Sequence, residues 1–459
     1  MDRRQVLQTL AASLAAFTGS RCSGEDETPV VIPEGPQCED PSAGGGRRIA
    51  VIGAGMAGLT AAHALTRCGF TVTVLESRSE VGGRVRTIDT FPQPVDLGAS
   101  WIHGGSGNPL GALLTTDVLE TDPDAVILYE AGQRLSDAEM ERTYADVDRV
   151  GGAFERIDEE SERDMPVSRA IELARAQRAP ALDWALNSEI AIEYATDLDA
   201  LSFWWGTDDA EFEGEEWLLV GGMREFLRAF DADWSLRTDT RVTSITDQGA
   251  RVRVQADGFD ELFDAAICTV SCALLQQQAI TFSPGLSERQ QLALQRIQMG
   301  TLDKTFLQFD RQFWPTASVL GFVGAQLDGI GEFYDLSAQA GAPVLMGFAS
   351  GTIARTLGGL PDEARVARAM ATLRTAFPDA PDPVVTHLSN WSQDPDTGGS
   401  YSSLAVGGVP EDFLAMESPV GERIFLAGEH TNRDFRGTLH GAHFSGLRAA
   451  AQVVRLLQG

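Results

Sequence analysis

The sequence predicts an α/β protein of two domains, one of them a Rossmann-like nucleotide-binding domain, and three observations carry the prediction. Residues 47–77, RRIAVIGAGMAGLTAAHALTRCGFTVTVLES, read as strand, tight turn, helix and second strand, the order of a βαβ unit. Two later runs, FDAAICTV at 263–270 and RIFLAGEHT at 423–431, have the continuous apolar character of strands buried on both faces. A chain of 459 residues also exceeds what one hydrophobic core usually supports, so two interlocked or successive domains are expected.

Each part of the first unit has a physical reason. Ile49 to Ile52 form the buried strand. Gly53, Gly55 and Gly58 then spell GxGxxG: the first permits the turn, the second lets a pyrophosphate approach the backbone, and the third lets helix and strand pack closely. The helix N-terminus offers free amides to phosphate. The second strand ends on Glu76, 23 residues after Gly53, where a carboxylate accepts hydrogen bonds from ribose hydroxyls. These parts in this order indicate a dinucleotide. SEVGGRVRT follows, with Gly82, Gly83 and Arg84 as a second glycine-lined loop bearing a cation for the other side of the pyrophosphate.

Downstream, residues 236–258 alternate on either side of Asp247 to Gly249, a hairpin pattern, and GAHFSGLRAAAQVVRLL closes the chain as a helix. Residues 47–104, 217–300 and 395–459 therefore compose the nucleotide-binding domain. The acid-rich, helically patterned stretch 105–216 and the mixed stretch 301–394 compose the substrate domain. No internal repeat is present.

The N-terminus reads as an address. Residues 1–22 place Arg3 and Arg4 before a short apolar run from Val6 to Phe17, too short to span a bilayer and suited to a twin-arginine export signal, which delivers the chain to the periplasm or beyond. Cys22 offers a lipid anchor, although Arg21 fits such a cleavage site poorly, and a cytoplasmic protein with a ragged start is the alternative. Residues 23–46, rich in Gly, Pro, Ser and acids, read as a disordered linker. No later segment is long and apolar enough to cross a membrane.

With 66 Asp+Glu against 36 Lys+Arg, the formal charge of -30 argues against nucleic acid and anionic membranes as partners and favours cationic ligands. The five cysteines form neither a disulfide framework nor a CxxC pattern, and Cys268 and Cys272 lack a histidine at zinc spacing, so buried thiols and no metal are expected. Lys304, in MGTLDKTFLQF, is the only lysine in the chain. A site that needs a flexible ammonium able to lose its proton explains a lysine where arginine serves everywhere else.

Four motifs together resemble the flavin-containing amine oxidases, the family of monoamine oxidases, polyamine oxidases and histone-lysine demethylases. They are GAGMAGL with Glu76 and GGR, DLGASWIHG at 96–104, LDKTFLQFD at 302–310, and FLAGEHTNRDFRGTLHGAHFSGLRAA at 425–450. The resemblance covers almost everything after residue 46 and implies a two-domain FAD-binding amine oxidase fold with the flavin at the domain boundary. It places Lys304 beside the reactive flavin nitrogen, where it holds a water. Glu76 and Glu429, with Gly428, become cofactor contacts, Arg84 the pyrophosphate arginine, and Val242 the residue whose backbone reads adenine. Gly98, Ala99, Ser100 and Trp101 line the flavin, as do Thr438 and Leu439. Trp391 packs near its dimethylbenzene end, and Tyr401 forms one wall of an aromatic cage for the amine.

Departures from the pattern are informative. Ser400 stands where some relatives attach flavin through cysteine, which implies noncovalent FAD. Thr438 replaces the second cage tyrosine of monoamine oxidases and widens the cage, and Ser271 replaces a proline. Trp101 stands at about the place where amino-acid oxidases carry a carboxylate-binding arginine. WIHG followed by Asn108 and Pro109 is similar to polyamine oxidases, in which the histidine matching His103 lies near the substrate's inner nitrogen. The resemblance thus implies an oxidase of amines, polyamines foremost, that yields an imine and reduces dioxygen to hydrogen peroxide. Alternatives are a monoamine or L-amino-acid oxidase of the same superfamily, or a flavin-binding protein without turnover. Nothing resembles the long helical insertion of the demethylases.

Overall fold

The computed structural model describes residues 32, 33, 35, 36, 38, 44–122, 125–174 and 179–458. The export segment 1–22, Cys22 included, lies outside the described residues. The chain opens with β1 (Arg48–Ile52), α1 (Met56–Arg67) and β2 (Thr71–Leu75). These belong to a five-stranded sheet ordered Ser235–Arg237, β2, β1, Ala265–Cys268, Ile424–Leu426, parallel throughout. Its strands come from three separated parts of the sequence, and their apolar runs are buried on both faces: Ile49, Val51, Val72 and Val74 on one side, Ala50, Ile52 and Leu75 on the other. On the first face α1 packs against α2, the C-terminal helix (Leu439–Gln458). A second sheet of four strands, Phe259–Phe263, Val252–Ala256, Val242–Asp247 and Thr281–Ser283, contains the 236–258 hairpin.

The other lobe is a seven-stranded sheet that joins Val126–Glu130 and Gln133–Arg134 to strands from 302–388. Second and third from one edge, β3 (Leu302–Gln308) pairs antiparallel with β4 (Val344–Ser350), which sets Lys304 opposite Phe348. Helices from 137–186 cover a separate core containing Val147, Phe154, Leu182 and Trp184. The helix Pro180–Leu186 passes into a π-turn over Asn187–Ile192, an irregularity common at functional sites. In this chain it swings the following residues into the cavity between the lobes.

Two expectations about the cysteines divide. Cys268 and Cys272 are buried and free. Cys38, assigned by composition to a disordered linker, is instead bonded to Cys68 at the C-terminal end of α1. Composition reports the low apolar content of 23–46 but is blind to a covalent pin on Cys68, a residue that reads as part of the βαβ unit. The cross-link spans 30 residues of sequence and encloses β1 and α1. Chain-entropy reasoning for a loop of that size gives about 3.6 kcal/mol, so replacing both cysteines with serine should lower the melting temperature by several degrees; scanning calorimetry with no detectable shift would show the bridge to be inconsequential.

Candidate active site

One cavity of about 1590 Å³ runs from the first glycine turn, across the gap between the lobes, to an acidic mouth. That exceeds the roughly 300–1,000 Å³ typical of a single small-molecule site and suits a large cofactor with a substrate beyond it. The cofactor end is formed by backbone. Gly53 has φ +99°, and a Cβ on Gly58 would lie 2.0 Å from the Gly53 carbonyl oxygen, so the turn closes only with glycine. Gly55 caps α1 without a side-chain hydrogen bond, leaving the helix's first amides open to phosphate. Glu76, 5% exposed at the end of β2, accepts through Oε2 from Ala54 N at 2.7 Å and through Oε1 from Arg78 N at 2.9 Å and Ser77 Oγ at 3.2 Å, and Oε2 has a lone pair left for a hydroxyl.

The second glycine loop meets this turn. Gly55 and Gly82 form a β-bridge. Arg84 pairs with Glu429 at 2.7 Å and donates to the Ser400 carbonyl at 2.8 Å, while Gly83 lines the cavity. Burial alone would raise the Glu429 carboxyl; Arg84, His430 and Ser402 outweigh it and hold the group below the usual range. Val242 begins its strand at the cavity wall. Gly98 presses on the Arg84 backbone so closely that a Cβ would fall 1.8 Å from that carbonyl oxygen. Trp391 Nε1 donates to the neighbouring Leu97 carbonyl at 3.2 Å. Ala99, Ser100, Gly428, Thr438 and Leu439 complete the lining.

Lys304 lies where the lobes meet. It is 4% exposed, and its Nζ donates to Asp96 O at 3.1 Å, Gly98 O at 2.6 Å and Ser100 Oγ at 2.5 Å, all from the DLGASWIHG turn. Burial pushes its ammonium below the usual lysine range, and the nearby Asp96 carboxylate resists the shift. The rings of Trp101, Tyr334 and Phe348 pack together beside it, with Nζ 5.5 Å from the Trp101 ring centre and 5.8 Å from that of Phe348. Tyr401 also faces the cavity, and its hydroxyl donates to the Ile192 carbonyl of the π-turn at 2.9 Å. Thr438 turns its hydroxyl inward instead: Oγ1 donates to Phe435 O at 2.8 Å and accepts from Gly441 N at 2.9 Å, which caps α2. Ser271 is an N-cap for Cys272–Gln276, which accounts for a serine where a proline is usual. Ser400 Oγ is engaged with the Leu302 backbone, accepting at 2.6 Å and donating at 3.0 Å.

His103 reaches the mouth, where its Nδ1 donates to Glu216 at 2.6 Å. Asn108 fixes the turn, donating to the His103 carbonyl at 2.9 Å and capping the short helix Pro109–Leu113. Partial desolvation at the mouth opposes charge on the imidazole, more than half of which is exposed, and Glu216, Glu193 and Glu211 overcome it and raise the group to about 9. Near neutral pH His103 is therefore a cation whose Nε2 donates, not a free acceptor. Around it stand carboxylates that sequence reading missed: Glu189 and Glu193 from the π-turn, and Asp209, Glu211, Glu213, Glu215 and Glu216 from DDAEFEGEEW. Their signal was the alternation of acids through 209–216. Burial, then Glu211, Asp209 and Glu216, raise Glu193 to about 7 against the pull of His103.

The comparisons with known proteins agree with this geometry. Residues 56–454 match the family described as flavin containing amine oxidoreductase. The chain belongs to that family. It is 33% identical over 440 residues to polyamine oxidase 4 of Oryza sativa subsp. japonica, covering 90% of this chain and 89% of that one. It is 34% identical over 436 residues to probable polyamine oxidase 4 of Arabidopsis thaliana, covering 89% and 87%. A solved putrescine oxidase, the wild type bound to putrescine, has the same fold with a TM-score of 0.74 at 21% identity, over 89% of this chain and 99% of that one. The protein is thus an FAD-dependent amine oxidase of the two-domain fold.

Proposed function

We propose that the chain oxidises a polyamine, with noncovalently held FAD and dioxygen as acceptor. The observation that carries this reading is the charge at the substrate end of the cavity, where Glu193, Glu211 and Glu216 stand within one electrostatic group while Trp101 occupies the lobe boundary. A polycation meets a carboxylate at each step of entry, and aromatic faces nearer Lys304 take the nitrogen as it gives up its charge. An amino-acid substrate would need a free guanidinium for its carboxylate. Arg436, the arginine that lines this end, is instead buried and paired with Asp208 at 2.6 Å and Asp209 at 3.4 Å. The polyamine oxidases among the relatives support the same substrate class.

Bound FAD would supply the two-electron oxidation of the C–H bond beside the amine nitrogen and the transfer of those electrons to dioxygen. This chain's residues do the rest. Gly53, Gly55, Gly58, Glu76, Arg84, Val242 and Glu429 hold the cofactor, with Gly83, Gly98, Ala99, Trp391, Gly428 and Leu439 shaping its slot. Tyr401 and Trp101 orient the amine, His103 with Glu216 steers the chain of nitrogens, and Thr438 leaves room beside them. Lys304 moves a proton at Nζ, because burial brings its amine within reach of neutrality. Ser400 has no thiol to attach the flavin, which supports noncovalent binding.

Anaerobic mixing tests the substrate class: spermidine or spermine should bleach the yellow flavin, whereas bleaching by tyramine or phenylalanine alone would reassign it. Binding of a polycation favours ionised Glu193, whose pKa is raised to about 7, so affinity should climb as pH rises through that value and weaken below it. Glu193→Gln should flatten this dependence and raise KM about tenfold, on the order of 1.4 kcal/mol; a pH-independent KM in the parent would contradict the assignment. Lys304→Met should keep its flavin but slow flavin reduction or reoxidation at least tenfold, about 1.4 kcal/mol of barrier, as read by stopped flow. Unaltered rates would remove Lys304 from the chemistry.

We also infer export through the Arg3–Arg4 segment. The Cys38–Cys68 bridge supports an oxidising compartment, since such bonds are rare in a reducing cytosol. Replacing both arginines with lysine should leave full-length precursor inside the cell; normal delivery would refute the assignment.

A further inference from the structure

The acceptors around Lys304 pose a satisfaction problem. An ammonium has three N–H donors, and it finds three acceptors: two carbonyls and the Ser100 hydroxyl. A neutral amine has two N–H donors and one lone pair, so loss of the proton turns one of those contacts into lone pair against lone pair. A carbonyl cannot answer that change, but a hydroxyl can. Ser100 Oγ lies 3.2 Å from Asp96 O and 3.2 Å from Gly98 O, so its own hydrogen has acceptors to point at while Oγ accepts from the ammonium.

We propose that Ser100 is a positioning residue for Lys304: its hydroxyl accepts from the ammonium and rotates to donate to the neutral amine, keeping Nζ in one place through gain and loss of the proton. The inference rests on the reading of Lys304 as a group that exchanges a proton during turnover. In balance, one proton leaves Nζ, the Ser100 O–H bond stays intact, and only the direction of one hydrogen bond reverses. Ser100 is itself 6% exposed, so water does not substitute freely for the hydroxyl.

Ser100 is the side chain that hydrogen-bonds Nζ among the described residues; Asp96 Oδ2 is buried without a partner, and burial raises that carboxyl to about 6 against the pull of Thr87, Met223 and Lys304. The Asp96 carboxylate, 2% exposed, is engaged through Oδ1 with Thr87 Oγ1 at 2.5 Å and Met223 N at 3.0 Å, and Arg224 stands beyond it, paired with Asp89. Asp303, next to the lysine on β3, accepts from Ser389 Oγ and Trp391 N at 2.8 Å each, with Arg365 behind it donating to the Ser389 carbonyl. Trp101 and Phe348 present ring faces, and Tyr334 packs against both.

Because Lys304 is the only lysine, holoenzyme grown on lysine labelled at Cε and Nζ gives a single side-chain resonance, which titrates without reference to turnover. Hydrogen bonds to a charged donor are the stronger kind, so Ser100→Ala removes more from the ammonium than from the amine. Its midpoint should fall by about one unit, a tenfold weaker hold on the proton, and Ser100→Thr should restore it. Should Ser100→Ala fail to fold, Ser100→Cys keeps the volume with a much weaker hydrogen-bonding group and must also lower the midpoint. A midpoint that stays put or rises in the folded variant, or a threonine variant that falls as far as alanine, overturns the proposal. Bleaching by polyamine with an unmoved midpoint sinks this inference alone; a shifted midpoint in a protein that no amine reduces sinks the functional reading instead.

Discussion

The two lobes are joined at the active site by one buried amine. Lys304 projects from β3, next to the edge strand of the seven-stranded sheet, and ends on the carbonyls of Asp96 and Gly98, which belong to the turn that lines the nucleotide-binding lobe. Three acceptors converging on one point suit a compact ammonium with three donors. A planar guanidinium would spread five donors over a fork and leave some of them facing the rings of Trp101 and Phe348. That geometry explains why a chain that otherwise uses arginine departs from it here. The neighbouring residue is anchored too, since Asp303 is held by Ser389 and by the Trp391 amide, so the β3 backbone and the indole under the cofactor slot share one carboxylate.

From that junction the cavity separates two electrostatic regimes. Towards the cofactor, charges are matched: Arg84 with Glu429, Arg78 with Asp394 and Asp396, and Arg241 with Asp396. Towards the mouth, carboxylates outnumber cations: burial and then the neighbouring acids raise Glu193 and Glu211, and against burial the same acids raise His103. Near neutral pH Glu193 is only part ionised, and an arriving cation favours its charged form, so the site holds an affinity for positive charge. The formal charge of -30 is therefore more than a solubility device, because part of it is concentrated where a substrate must pass.

How much of this could be read from the residues depended on whether a feature is local. The βαβ unit was legible because strand, glycines, helix and acid all lie within 47–77, and backbone sterics decide them without help from the rest of the chain. Lys304 was legible through composition and a short motif. Glu193 was not: it sits in a helical, acid-rich stretch like many solvated surfaces, and only the π-turn at Asn187–Ile192 aims it inward, an irregularity with no sequence rule behind it. His103 was placed at the substrate, but its charge was not legible, because its partner Glu216 lies 113 positions away and was invisible to spacing. Cys38 was lost for the same reason, its partner standing across a folded unit.

The asymmetric cage follows from the same contrast between local and distant constraints. Thr438 is required by the backbone, since its hydroxyl closes the first turn of α2, and it has no ring to present. The aromatic surface comes instead from three different strands: Trp101 packs edge to face against Tyr334 and against Phe348, which are tilted to each other, while Tyr401 is tethered through its hydroxyl to the π-turn. Because that tether ends on the Ile192 carbonyl, next to Glu193, the position of the ring and the position of the nearest carboxylate are set by one irregular turn. A nitrogen leaving the acids for the ring therefore moves between two groups whose separation does not depend on the rest of the mouth. This is the requirement for drawing a cation inward and then lowering the cost of its deprotonation beside Lys304.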